Sequence, residues 1–309
     1  MVVLVESGPD AGLPWHFGNP VAEARSLEKG DGVVDLGNRE VVEIAGPERL
    51  SWLHAITSQH LEKLPVGEST TALILSPTGH IEHILYGVDD GESFLAWTEP
   101  GRGEQLARYL DMMRFAARVE VRRRDDLSVA WVGHTVAVDA SWRRRDSDLG
   151  GLEVFVPQGA ELQPTVGTWA FEAMRIAAGA PRIHVDTDHK TLPNEIGLVG
   201  VHLQKGCYRG QETVARVHNL GRPPRRLVQL LLDGSRSELP AAGAAVLHGD
   251  KEVGFVGSAA RHHELGPVAL ALVKRNVPVE ATLLVDGQAA AQEVLVDPDV
   301  GLHIRPQLG

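Results

Sequence analysis

Short runs of apolar residues dominate the chain, and their spacing separates a mixed region from a strand-rich one. Before residue 225, strand-like runs alternate with two longer patterns of helical period. The strand-like runs lie at residues 41–44, 71–75, 81–86, 94–97 and 129–132, and the helical patterns at 103–115 and 167–178. In the first helical pattern, Leu106, Leu110 and Met113 recur at the spacing of one helix face. The pattern therefore predicts a domain of mixed α and β structure.

Beyond residue 226 the pattern changes to six short strand-like runs at near-regular intervals, with no helical period of any length. These runs lie at residues 227–232, 244–247, 253–257, 268–273, 281–285 and 293–296. Such spacing is typical of a compact antiparallel barrel or sandwich. We predict an α+β protein with a mixed domain at residues 1–225 and a C-terminal domain at residues 226–309.

Three weaker segments complete the predicted organisation. The first 30 residues are rich in glycine and proline, and we expect an irregular arm there. The sequence Gly46-Pro47-Glu48 predicts a helix start, because proline in the first turn loses no hydrogen bond. Residues 136–138 predict one more short strand, from alternating valines.

Composition narrows the function classes. Of 309 residues, 43% are hydrophobic and 23% charged, which is ordinary for a folded globular protein. No apolar run approaches the roughly 20 residues that cross a bilayer, and the N-terminus lacks the pattern of a secretory signal, so we expect a cytoplasmic protein without a membrane partner. The formal charge of -11 argues against direct nucleic-acid binding. Basic runs at residues 122–124 and 143–145 stand beside aspartates and predict a solvated, self-neutralising surface.

Several common catalytic motifs are missing. The sequence Gly101-Arg102-Gly103 lacks the third glycine of a dinucleotide fingerprint, since Leu106 stands in its place. There is no phosphate-binding loop and no nucleophile elbow. The paired histidines, such as His262 and His263, do not complete a zinc site, so we expect no bound metal.

The stretch with the clearest chemistry is Lys205-Gly206-Cys207-Tyr208-Arg209-Gly210-Gln211-Glu212. Both glycines permit backbone angles that a side chain forbids, and residues 211–217 predict a short helix. Cys207, the one cysteine of the chain, then precedes a helix N-terminus between two cations, which favours the thiolate. We hypothesise a reactive, accessible thiol. A buried structural cysteine is the alternative, and local residues alone leave both open.

This segment is similar to the signature of the YgfZ family, folate-binding relatives of the glycine-cleavage T-protein that support iron–sulfur enzymes. The resemblance continues through Arg175-Ile with Gly179 and Pro181, Pro193 with Glu195, and Val214-Ala-Arg216 with Gly221 and Arg226. It implies a ring of three lobes: two from the larger domain, a C-terminal β-barrel as the third, and a folate in the central opening.

By the same resemblance, Glu195 would accept the paired N–H donors of a pterin, and local cations would hold the anionic tail of folate. From composition alone, Glu195 reads as an exposed loop residue, and Arg175 pairs equally well with Glu172 one turn back. The implied functional residues are Cys207 as the catalytic group and, as contacts to tetrahydrofolate, Glu195, Arg175, Lys205, Gly206, Tyr208, Gly210, Gln211, Glu212, Arg216 and Arg226.

The resemblance has one gap. Where the aminomethyltransferase relatives carry a catalytic aspartate, this chain has Gly79-His80-Ile81-Glu82-His83, with no aspartate. The longer arm of Glu82 would displace a carboxylate by about 1 Å, a scale that harms catalysis. We therefore expect a folate-binding factor for assembly or repair of iron–sulfur client proteins, including tRNA-modifying enzymes, and keep a folate-dependent aminomethyl or other one-carbon transferase as the alternative.

Overall fold

The computed structural model describes residues 1–302, so the last seven residues of the predicted C-terminal domain lie outside the described part. The chain forms two compact units. Unit 1 comprises Met1–Ile74, His83–Glu172 and Gln204–Tyr208. Unit 2 comprises Leu75–Glu82, Ala173–Leu203 and the chain from Arg209 onward. The division differs from a single cut at residue 225, because segments on both sides of that point pack together within unit 2.

The mixed part of the fold holds a five-stranded and a four-stranded antiparallel sheet and a two-stranded hairpin. Its elements are β1 (Val3–Leu4), β2 (Pro14–His16), α1 (Pro20–Glu28), β3 (Val33–Asp35), β4 (Glu40–Ala45), α2 (Arg49–Ile56), β5 (Ser69–Leu75), β6 (Ile81–Asp89), β7 (Ser93–Thr98), α3 (Gly103–Met112), β8 (Glu120–Arg123), β9 (Leu127–Val132), β10 (Arg144–Asp146), β11 (Leu152–Pro157) and α4 (Thr168–Ala177). The strand orders are β5-β6-β7-β4-β8 and β10-β11-β9-β3.

The core of the five-stranded sheet follows the predicted periodicity. Leu106 and Leu110 of α3 are fully buried against this sheet, and Met113 packs partly buried beside them. The predicted strands at residues 41–44, 71–75, 81–86, 94–97 and 129–132 all appear, each lengthened by one to three residues at its ends. The helix predicted after Gly46-Pro47-Glu48 is α2.

The remainder of the chain folds around a closed six-stranded antiparallel barrel of order β12-β15-β14-β13-β16-β17. Its elements are a 3₁₀ helix (Pro193–Ile196), α5 (Gln211–Leu220), β12 (Arg225–Leu232), β13 (Ala245–His248), β14 (Lys251–His262), β15 (Gly266–Lys274), β16 (Leu283–Val285) and β17 (Gln288–Val294). Val228, Leu230 and Leu232 of β12 point into the barrel core. The predicted α+β fold with a C-terminal antiparallel barrel is confirmed. No helix in the described range is both long and apolar enough to cross a bilayer.

Two local predictions are wrong, and one hairpin was not predicted. The first 30 residues are not irregular, because Asn19 caps α1 by accepting from the Ala22 amide at 3.1 Å, with Pro20 at the first helical position. Residues 136–138 form no strand, and the sequence pattern missed the hairpin of β10 and β11.

The two basic runs have different environments. Arg122 and Arg124 pair at the surface with Glu120 and Asp126, as predicted. Arg145, in contrast, is 2% exposed and binds Glu153 at 2.9 Å beneath the protein surface. A buried guanidinium requires a charged partner, and Glu153 on the neighbouring strand supplies it.

Candidate functional site

The motif segment begins at Lys205, whose side chain closes the C-terminal end of α2. The Lys205 ammonium donates hydrogen bonds to the carbonyl oxygens of His54 and, at 2.6 Å, of Thr57. It also lies 5.1 Å from the centre of the Tyr208 ring. The last carbonyl groups of a helix have no partner within the helix and carry partial negative charge, so a cation there is favourable. Burial nevertheless lowers the pKa of Lys205 to about 8, partly offset by the charge of Cys207.

Cys207 is exposed, so the structure excludes the reading of a buried structural cysteine. The two cations expected to favour its thiolate both have other partners. Lys205 binds the α2 carbonyl groups, and Arg209 approaches the Glu82 carboxylate to 3.3 Å. Tyr208, the next residue, is half-buried, and burial raises the pKa of its phenol.

The two glycines of the motif differ in the space around them. Gly210 has a φ of +81°, and a Cβ there would lie 2.5 Å from the carbonyl oxygen of Ser76. Glycine at this position therefore lets the turn before β6 contact the start of α5. Gly206, in contrast, does not adopt a left-handed φ, and an added Cβ would meet no atom of the described residues within 4 Å. The expectation of a backbone conformation that requires glycine is therefore wrong at this position.

Helix α5 begins immediately after Gly210 and confirms the helix predicted for residues 211–217. Its buried face is marked by Val214, while Glu212 and Arg216 are exposed and Gln211 is half-buried. Glu212 lies in the first turn, where a negative charge interacts favourably with the helix dipole. Arg216 therefore presents a cation at the surface of unit 2.

Glu195 lies in the 3₁₀ helix and is completely buried, so it is not an exposed loop residue. Its carboxylate accepts from the Leu192 amide at 2.9 Å. Arg225 donates to both oxygens, from Nε to Oε1 and from Nη2 to Oε2, each at 2.9 Å. The neighbouring Asn194 donates to the carbonyl oxygen of Val214 at 3.2 Å, which joins the 3₁₀ helix to α5.

Arg225 also binds a second carboxylate. Its Nη1 and Nη2 atoms donate to Asp188 at 2.8 and 2.9 Å, and Nη2 lies 3.2 Å from the Thr191 hydroxyl. These bonds hold the pKa of Asp188 well below its usual range. Burial would lower the pKa of Arg225, but the hydrogen bonds to both carboxylates outweigh burial and raise it.

Sequence reasoning missed Arg225 and selected its neighbour Arg226. Successive residues of a strand face opposite sides, and Arg226 shares its side with Val228 and Leu230 of the barrel core. The structure accordingly buries Arg226 completely, with Nη2 donating to the Val277 carbonyl oxygen and to Gln292. Its Nε and Nη1 atoms have no hydrogen-bond partner among residues 1–302, and burial lowers its pKa. The alternation along β12 was the signal that separates the two arginines.

Arg175 is buried at the end of α4. It donates to Asp186 at 2.9 Å, to the Ser258 hydroxyl at 2.6 Å and to the Ala180 carbonyl oxygen at 2.6 Å. Asp186 also accepts from the Ser258 hydroxyl. This network joins the chain after α4 to strand β14, so the described contacts of Arg175 tie parts of unit 2 together.

The predicted cofactor residues thus form separate groups. Lys205, Gly206 and Tyr208 belong to unit 1 together with Cys207. Within unit 2, Glu195 is linked to α5, whereas Arg175 and Arg226 make independent buried networks.

Comparison with known proteins identifies the barrel first. A model of the glycine cleavage T-protein C-terminal barrel domain matches residues 225–299. In the solved structure of glycine cleavage system aminomethyltransferase T from Bartonella henselae, 94% of the chain superposes on 96% of this one, with a TM-score of 0.76 and 15% sequence identity. At that identity the similarity establishes the fold.

Sequence relatives extend the similarity. A putative chloroplastic transferase of Arabidopsis thaliana is 23% identical over 288 residues, which are 80% of this chain and 66% of the relative. An aminomethyltransferase of Nitrosococcus oceani is 23% identical over 120 residues, 38% of this chain and 32% of the relative. The tRNA-modifying protein YgfZ of Escherichia coli is 43% identical over 74 residues, 23% of this chain and 22% of the relative. The matches therefore span about two thirds or less of these relatives.

The family model, the sequence relatives and the fold agree with one another. Residues 225–299 therefore match the T-protein C-terminal barrel domain, and the chain is similar in fold to an aminomethyltransferase and in parts of its sequence to aminomethyltransferase and YgfZ proteins.

Proposed function

We propose that the protein binds tetrahydrofolate and uses Cys207 to support the assembly or repair of iron–sulfur proteins of the cytoplasm, including tRNA-modifying enzymes. The observation that carries the proposal is the exposed Cys207 thiol. Two residues before it, Lys205 is bound to the C-terminal end of α2 within the same unit. An exposed thiol beside this anchor is accessible to a partner protein.

The hydrogen-bonding pattern of the Glu195 carboxylate can be compared with the pattern that a folate requires. A pterin presents a ring N–H beside an exocyclic amino group, and one carboxylate accepts both donors. The Glu195 carboxylate already accepts such a pair, from Nε and Nη2 of Arg225. Its geometry therefore fits the pterin edge once that edge replaces the guanidinium. Bound tetrahydrofolate would supply a one-carbon carrier.

The candidate cations for the anionic tail of a folate differ in their exposure to solvent. Arg216 is exposed on α5 and is the residue we propose for the tail. Arg175 and Arg226 are buried in networks of their own, and we propose that they support the surrounding structure rather than the tail directly. The remaining motif residues, Lys205, Gly206, Tyr208, Gly210, Gln211 and Glu212, would shape the segment around Cys207.

The direct test is calorimetric titration of the full chain with tetrahydrofolate. We expect saturable binding at one site, weakened by Glu195→Gln and by Arg216→Ala but unchanged by Glu293→Gln, an exposed position on β17. Absence of saturable binding would overturn the folate part of the proposal.

A one-carbon transferase is the second candidate, and the similarity to named transferases favours it. Glu82 would have to act in place of the missing aspartate, yet its carboxylate pairs with Arg209 at 3.3 Å. Incubation with an aminomethyl-loaded carrier protein and tetrahydrofolate separates the two functions. Formation of methylene-tetrahydrofolate, abolished by Glu82→Gln, would establish the transferase; we expect none above the background rate.

A further inference from the structure

Arg225 stands between two carboxylates and binds both at once. It meets Glu195 through Nε and Nη2, and Asp188 through Nη1 and Nη2. The guanidinium carbon also lies 5.9 Å from the centre of the Phe255 ring. All four residues belong to unit 2, so this arrangement is internal to one compact body.

The two carboxylates differ in accessibility. The Glu195 side chain has no exposed surface, whereas Arg225 and Asp188 retain 19% and 31% of theirs. Arg225 therefore covers Glu195 and is itself accessible, and Asp188 lies on its more open side. A ligand reaches the Glu195 oxygens only after the guanidinium moves.

The contact between Arg225 and Glu195 has the same donor pattern as a pterin edge. Two adjacent N–H groups from one planar group meet the two oxygens of one carboxylate. A pterin and the guanidinium thus compete for the same acceptors. Exchange between them never leaves the buried Glu195 charge without a partner, a state that would be strongly unfavourable.

Asp188 gives the displaced guanidinium a second position. When Arg225 leaves Glu195, the two bonds to Asp188 remain available, with the Thr191 hydroxyl beside them. The movement breaks the two hydrogen bonds between Arg225 and Glu195, and the pterin forms two in their place on the same carboxylate.

We propose that Arg225 is a positioning residue that holds the pterin-accepting edge of Glu195 in the ligand-free protein and transfers fully to Asp188 when the pterin binds. This inference depends on the proposed folate-binding function. It makes Asp188, which contacts no pterin in this arrangement, a determinant of affinity, because it receives the displaced cation.

Side-chain NMR of the ¹⁵N-labelled full chain tests the exchange directly. The Arg225 Nε–H resonance, assigned by its loss in Arg225→Lys, should shift on saturation with tetrahydrofolate because its acceptor on Glu195 changes. Asp188→Asn should weaken tetrahydrofolate binding about tenfold, as expected when a charge-assisted bond is lost. Arg225→Lys, whose ammonium has no planar fork, should bind tetrahydrofolate severalfold more tightly.

Asp250→Asn, at an exposed turn of the barrel, is the matched control and should leave affinity unchanged. Melting temperatures of all variants establish whether they fold. If Asp188→Asn does not fold, the affinity of Arg225→Lys still tests the proposal. Saturable binding with a stationary Nε–H resonance and unaltered affinity in Asp188→Asn would overturn the exchange while leaving folate binding intact. Absence of binding to the wild-type chain would overturn both.

Discussion

Lys205 donates a hydrogen bond of 2.6 Å to the carbonyl oxygen of Thr57, the C-cap residue that follows α2. A second bond reaches the carbonyl of His54 in the last turn of the same helix. The lysine of the motif is therefore a helix cap that ties the segment preceding Cys207 to the end of α2.

Removing the ammonium should destabilise the protein. In Lys205→Met the two α2 carbonyl groups lose their donors while the aliphatic part of the side chain is kept. We expect a loss of about 1–3 kcal/mol in the free energy of unfolding. Urea denaturation measures it, with Lys251→Met at an exposed position of β14 as the control. A loss no larger than that of the control would show that the cap contributes nothing.

The same lysine predicts a pH dependence. Burial lowers the pKa of Lys205 to about 8 from the ordinary lysine value of 10.5, so between these pH values the unfolded chain holds a proton that the folded protein has released. Stability rises with pH wherever the unfolded state binds more protons. The burial cost is therefore fully present below pH 8 and relieved as the pH rises toward about 10.5. Wild-type stability should rise relative to Lys205→Met across that range, and parallel stability profiles would contradict the burial of the ammonium.

The two motif glycines provide a matched pair of substitutions. Gly210→Ala places a methyl group 2.5 Å from the Ser76 carbonyl oxygen at a φ of +81°, so we expect a loss of more than about 1 kcal/mol. Gly206→Ala meets no atom within 4 Å and should change stability by less than about 0.5 kcal/mol. Thermal unfolding of the two variants decides the comparison. Equal melting temperatures would be inconsistent with the close approach at Gly210.

The buried carboxylate at Glu195 should matter for stability as well as binding. Glu195→Gln removes the charge that faces Arg225 while conserving shape, and we expect a loss of about 3 kcal/mol, since breaking a buried ion pair leaves its partner uncompensated. Asp188 retains part of the interaction with Arg225 and keeps the loss from being larger. Glu293→Gln is the surface control. A variant as stable as wild type would show that the pair is not coupled to folding.

Apolar periodicity was sufficient to predict α3, α4 and five of the six barrel strands, whereas α2 and α5 were predicted from signals at their N-termini. The run at residues 293–296 was misplaced, because it overlaps only the last two residues of β17. Helix α3 was predictable because Leu106 and Leu110 recur on one face and are buried together. The hairpin of β10 and β11 was not, because β10 reads Arg-Arg-Asp and carries no apolar alternation. Its buried Arg145 is paired with Glu153, a partner on another strand that local sequence does not reveal.

The candidate site shows the same limit. The motif identified Cys207 and its neighbours, and the structure places the thiol at the surface. The hydrogen-bond and ion-pair partners of the charged residues could not be predicted from neighbouring sequence, because each partner lies in a distant segment of the chain. Lys205 binds a helix end about 150 residues earlier, and Glu195 binds Arg225 rather than solvent.

Genetic complementation tests most directly the central claim, that the exposed Cys207 thiol serves iron–sulfur proteins. A strain lacking the protein is complemented with wild type, Cys207→Ala or Glu293→Gln, and the activity of an iron–sulfur dehydratase and of tRNA thiolation is measured in each. We predict restoration by wild type and by Glu293→Gln but not by Cys207→Ala at equal protein level. Full restoration by Cys207→Ala would contradict the claim.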